Sequence, residues 1–95
     1  MARKVSGFKF MLDFVQEYLS GEMERLFFDL DFDYYLIQNW PKMERENRAL
    51  AECFYYYVSE EGIDRCTDDM TDDEHKDFMR AQFEEFEAAM KDGMY

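Results

Sequence analysis

Apolar residues recur at steps of three and four along most of this chain, and almost nothing interrupts them. One proline and four glycines in 95 residues leave little room for long loops or linkers. No internal repeat, low-complexity stretch or composition break divides the chain, which reads as a single domain over residues 1–95. Such spacing places the apolar side chains on one face of a helix.

The clearest helix runs over about 71–91. Thr71-Asp72-Asp73-Glu74 fits a capping box, and its acidic first turn suits the positive end of the helix dipole. Met79, Phe83, Phe86 and Met90 form the apolar stripe, with Phe78 and Ala89 at its edge and Asp92-Gly93 marking the end. A second helix is expected to begin at Trp40-Pro41, with the proline at the first helical position and Gly62 as its stop. Met43, Asn47, Leu50, Phe54 and Tyr57 would form its stripe, widened by Cys53 and Val58. A third runs from about Gly7 to Leu19 on Phe8, Met11, Leu12, Val15 and Tyr18, and ends at Ser20-Gly21.

The span from Met23 to Trp40 reads two ways. Met23, Phe27, Leu30, Tyr34 and Ile37 are at helical spacing. Phe28, Leu30, Phe32, Tyr34 and Leu36 also alternate with mostly acidic residues, as in a strand. Aspartate is a poor strand residue, and a lone strand needs a partner, which only Val5–Phe10 or Phe54–Val58 could supply. Helix is preferred. The expectation is an all-α bundle of about four helices joined at Ser20-Gly21, Asn39–Pro41 and Gly62–Met70. The alternative is an α+β fold with a short strand around residues 26–36.

Twenty-three acidic against eleven basic residues give a net charge of -12, and residues 49–95 carry -10 of it. A negative field of this size repels nucleic acid and anionic membrane and attracts basic protein surfaces. Acidic chains poor in aromatics tend to be disordered. This one is 19% aromatic, so it can bury a core despite its charge. No signal-peptide core or membrane span is visible after the basic pair Arg3-Lys4, so a cytoplasmic protein with free Cys53 and Cys66 is expected.

Several motifs invite a catalytic or metal-binding reading. Leu26 to Asp33, with Asp29-x-Asp31 after an apolar run, resembles the first motif of haloacid-dehalogenase-type phosphatases. That family's glycine and threonine are replaced here by Phe32 and Asp33, and no strand–helix alternation follows. Asp29, Asp31 and Asp33 also match the first three ligand positions of an EF-hand. Tyr34 and Trp40 stand where its glycine and bidentate glutamate are required, which rejects the motif. His75, the only histidine, falls near the apolar stripe and reads as a packed residue, with no nucleophile and orienting group beside it. Cys53 reads as a buried small hydrophobe, and Cys66, in an acidic loop, as a thiol of raised pKa. No catalytic residue, metal site or cofactor is expected.

The expected function is therefore non-enzymatic binding to a basic protein surface. Asp68, Asp69, Asp72, Asp73, Asp77, Glu84, Glu85 and Glu87 are the candidate contacts. Carboxylates spaced along helices can imitate duplex phosphates, so the surface bound could belong to a nucleic-acid-binding protein. In size and charge the chain resembles the small acidic anti-defence inhibitors of phage and mobile elements, which include anti-CRISPR and antirestriction DNA mimics. The alternative is a homo-oligomer, such as a homodimer, or a helical adaptor that binds through aromatics. In Phe54-Tyr55-Tyr56-Tyr57 neighbours lie about 100° apart on a helix, so Phe54 and Tyr57 facing inward would leave Tyr55 and Tyr56 outward. Trp40 would join them.

Overall fold

A computed structural model describes residues 6–93; Arg3, Lys4 and Val5 lie outside the described residues. The fold is an all-α bundle, and no strand forms among the described residues. Helix α1 spans Gly7–Leu19, α2 spans Arg25–Phe54, and α3 spans Asp72–Gly93. A π-helical stretch, Tyr55–Glu60, extends α2 directly, and a single 3₁₀ turn, Ile63–Arg65, precedes the loop to α3.

The expected boundary at Trp40-Pro41 is corrected by the structure. Pro41 lies inside α2, and no turn forms at Asn39–Pro41. The helical path breaks instead at Asn47, whose backbone is extended (φ -168°, ψ 99°). Its side-chain Oδ1 accepts from the amide of Leu50 at 3.1 Å, so Asn47 caps the second half of α2. Four helical rods result, with the joint between the middle two displaced to Asn47.

Alternation in residues 28–36 resolves as two helical faces. Phe28, Phe32 and Leu36, four residues apart, are buried, while Leu30 and Tyr34, two residues out of step, face solvent. Half a helical turn separates positions two apart, so alternating apolar residues in a helix make two opposite stripes.

The core joins Phe8, Met11, Phe14, Val15 and Tyr18 of α1 to the inner face of α2 and to Met79, Phe83 and Phe86 of α3. Aromatic rings run through it in file. Tyr18 stacks on Phe28 at 4.2 Å between centroids, Phe28 meets Phe32 at 5.6 Å, Phe32 meets Phe54 at 6.4 Å, and Phe54 meets Phe86 edge-on at 5.3 Å. Each such pair contributes about 0.5–1.5 kcal/mol beyond area burial.

The chain reverses at two glycines. Gly21 has φ +90°, a left-handed conformation that ends the turn after α1. At the buried Gly62, a β-carbon would collide with the Val58 carbonyl. The predicted capping box opens α3: Glu74 N donates to Thr71 Oγ1 at 3.1 Å, and Thr71 N donates to Glu74 Oε1 at 2.8 Å. Arg25 holds the preceding loop against α2 by donating to the carbonyls of Met70 at 2.5 Å and Thr67 at 2.9 Å.

Candidate partner-binding surface

Because the core takes only one side of α2, the other apolar stripe is left uncovered among the described residues. Leu26 (62%), Phe27 (55%), Leu30 (66%), Tyr34 (57%) and Ile37 (73%) are all exposed. Their spacing puts them on one side of the helix, opposite Phe28, Phe32 and Leu36, over about 17 Å of its length. Scattered exposed apolar residues are ordinary in proteins, whereas contiguous apolar patches are found at protein, membrane and ligand contacts. A helix that is apolar on both sides is normally buried on both.

Grooves flank the two ends of this stripe. Near its C-terminal end, Ile37 joins Leu36, Trp40, Pro41 and Tyr55 around an apolar hollow of about 420 Å³. Trp40 meets Tyr55 edge-on there at 5.7 Å. Near its N-terminal end, Phe27 borders a groove of about 470 Å³ between α1 and α2. Phe10, Phe14 and Tyr35 floor that groove, and Glu17, Glu22, Glu24 and Asp31 rim it. Among the described residues, no basic side chain lines it.

The predicted acidic contacts lie elsewhere. Asp68, Asp69, Asp72, Asp73, Asp77, Glu84 and Glu85 are exposed, and Glu87 is half-buried. They occupy the loop before α3 and the outside of α3. Several are engaged locally. The Thr67 hydroxyl donates to Asp69 and holds its carboxyl below the usual range. Asp72 lies 3.6 Å from Arg25, and Asp77 lies 3.4 Å from Arg80. Arg80 also donates to the Leu19 carbonyl at 2.7 Å, closing the end of α1.

The run of four aromatics divides as its spacing predicts. Phe54 is buried, Tyr57 half-buried, and Tyr55 and Tyr56 are 39% and 48% exposed. Only Tyr55 reaches the Trp40 hollow.

A polar junction lies beneath the bundle surface where α1, α2 and α3 meet. His75 is fully buried, as predicted for a packed residue. The Tyr18 hydroxyl sits 2.5 Å from its Nδ1. Burial, and next the nearby Asp29 carboxylate, push the Tyr18 pKa up to about 12, so the tyrosine keeps its proton. On the far side of the ring Nε2 lies 3.2 Å from Asp29 Oδ1, and a carboxylate there favours the tautomer with its proton on Nε2 and the Tyr18 hydroxyl as donor to Nδ1. With the ring neutral this is a polar approach rather than an ion pair, and among the described residues Nε2 makes no hydrogen bond of good geometry. Burial lowers the His75 pKa, with Asp29 opposing. Asp29, the residue of the phosphatase-like motif, is also paired with Arg25 at 3.5 Å.

The cysteines are separate and free, and both are half-buried, so Cys53 is less enclosed than expected. Burial raises the Cys53 thiol and, with Asp29 adding to it, brings Cys66 to about 11. The raised Cys66 value agrees with the sequence reading, but burial is the larger cause. Among the described residues, no group of three or more His, Cys, Asp or Glu side chains is arranged to hold a metal ion, and no helix is long and apolar enough to cross a membrane.

Sequence reasoning named Tyr55, Tyr56 and the acidic residues of α3 but passed over the α2 stripe. Its signal was present: Phe27, Leu30, Tyr34 and Ile37 are at helical spacing, and so is Phe28, Phe32 and Leu36. Two stripes in one helix mean that one core cannot cover both. Compared with known proteins, the chain matches no family model, no curated protein and no solved structure.

Proposed function

We propose that this is a non-enzymatic protein-binding protein whose anchor is the outer face of α2 and whose carboxylates attract a basic partner. The observation that carries this reading is the file of five exposed apolar side chains, Leu26, Phe27, Leu30, Tyr34 and Ile37, along one side of one helix. Buried apolar and aromatic anchors carry most of the affinity of an interface, while surrounding charge sets encounter rate and partner choice. The binding reading over a catalytic one is supported by His75, whose Nδ1 is occupied by Tyr18 and whose ring is closed to solvent.

Imitation of duplex phosphates, the narrower form of an inhibitor, calls for carboxylates repeated without interruption. Along α3 the outer file Asp73, Asp77 and Glu84 is broken by Arg80, which pairs with Asp77. We therefore give these carboxylates the role of steering and place the anchor on α2.

Capture from a cell lysate, compared between the wild type and two variants, tests the proposal. Leu30→Ser/Ile37→Ser removes apolar anchors that the core does not use. Asp73→Asn/Asp77→Asn/Glu84→Gln/Glu85→Gln removes charge. Loss of the captured protein with the serine pair, and a weakened salt dependence with the neutralised set, are expected. A captured protein that ignores both changes would refute the proposal.

A further inference from the structure

We infer that the occupant of the α2 face is a basic amphipathic helix of another protein, its apolar stripe on Leu30, Tyr34 and Ile37 and its Lys or Arg flank in the α1–α2 groove. This inference rests on the binding role proposed above and adds the chemistry of the partner.

The apolar stripe and the acidic groove are side by side and share Phe27. On the helical wheel the groove residues of α2, Asp31 and Tyr35, follow Phe27 around the same flank. A ligand lying along the stripe therefore presents one edge to Glu17, Glu22, Glu24 and Asp31. The floor beneath those carboxylates is aromatic, from Phe10, Phe14 and Tyr35. Long basic side chains match both parts: their alkyl stems cover aromatic surface, while the cationic ends reach the carboxylate rim. A helix is the form that suits a straight apolar file about 17 Å long, because its own anchors repeat at the same three- and four-residue steps.

A second copy of the chain is the poorer occupant on the same grounds. It would bring another -12 body against this face, with carboxylates rather than cations entering the groove.

Trp40 gives the experiment its signal, since it is the only tryptophan and lies in the hollow with Ile37 and Pro41. The probes are two synthetic peptides of about 18 residues, roughly five turns, with the same leucine repeat and either Lys or Glu flanks. The full chain is titrated with each, following Trp40 emission, with circular dichroism to register helix gain in the peptide and sedimentation to register self-association. The Lys peptide is expected to gain helix and bind at least tenfold more tightly than the Glu peptide. Leu30→Ser/Ile37→Ser should weaken it at least tenfold without altering the net charge. Glu17→Gln/Glu24→Gln should weaken it at low salt and flatten its salt dependence.

Lys-peptide binding that survives the serine pair would be charge attraction alone and would overturn the inference. Binding of neither peptide, or of both equally, would overturn it too. Self-association abolished by the serine pair would assign the face to a second copy. If lysate capture depends on Leu30 and Ile37 while the Lys peptide fails to bind, only the chemistry assigned to the partner is wrong. If capture ignores them, the binding role of the α2 face itself falls.

Discussion

His75 shows how burial converts one side chain into a pH dependence. Burial pushes its pKa down from the ordinary 6.5, Asp29 opposes the shift and Arg25 reinforces it. The folded protein therefore keeps the ring neutral at pH values where the unfolded chain takes up a proton. The sign follows: the contribution is fully present above pH 6.5 and is lost as pH falls from there through the folded value. Protonation of carboxylates relieves the self-repulsion of the -12 chain over part of the same range, so the comparison must be with His75→Gln. Between about pH 7.5 and 5.5, wild type should lose up to about 1.4 kcal/mol relative to that variant. Urea unfolding at each pH measures it, and parallel curves for the two proteins would contradict the assignment. Glu46 is a second single-residue device that no local motif announced. It accepts from the amides of Gly7 at 2.9 Å and Phe8 at 3.2 Å and from the Ser6 hydroxyl at 2.9 Å. Burial works to raise its pKa, but these donors outweigh it and hold the carboxyl below the usual range. A carboxylate from α2 thus satisfies the free amides at the start of α1.

Helix α2 is where the boundaries read from the sequence and the structure part. Proline at position 41 reads as a start signal because a first-turn residue needs no amide hydrogen. Inside a helix it costs the bond to the fourth residue before it. Here that residue is Ile37, which is 73% exposed, on the side of α2 away from the core. The break falls at Asn47 because its side chain can replace a missing backbone partner for Leu50. Asn47→Ala should therefore destabilise the protein by about 1 kcal/mol, and Asn47→Asp should retain most of the stability. The urea midpoint decides, and an alanine variant as stable as wild type would show that the kink needs no cap. The next span, Tyr55–Glu60, widens into a π-helix, with Glu61 N bonding to Tyr56 O at 2.9 Å. That wider turn lets Val58 and Ser59 both be buried after Phe54.

Across the whole molecule, the net charge of -12 opposes a core built on one aromatic file. Raising salt from about 0.05 to 0.5 M shortens the Debye length from more than 10 Å to a few ångström. It should raise the melting temperature, by about 4–8 °C for each kcal/mol of repulsion relieved. A melting temperature indifferent to salt would mean that the carboxylates are spaced widely enough not to interact. Helical class, the capping box of α3, the inward side of α1 and the burial of His75 were all legible in the chain. Each depends on residues within a few turns of one another, where spacing and hydrogen-bonding type decide the outcome. Residues 23–40 read as helix or strand, with helix preferred; the helix that forms carries two interleaved apolar stripes, and periodicity cannot say which stripe a core will take. Packing decided it: α1 lies against Phe28 and Phe32 and α3 against Phe28 and Phe54, which among the described residues leaves no element to cover Leu30, Tyr34 and Ile37. The acidic rim of Glu17, Glu22, Glu24 and Asp31 was undetectable for the same reason, because α1 and α2 bring it together only when they pack. Local chemistry is written along the chain, whereas the choice of which apolar face stays open belongs to the assembled bundle.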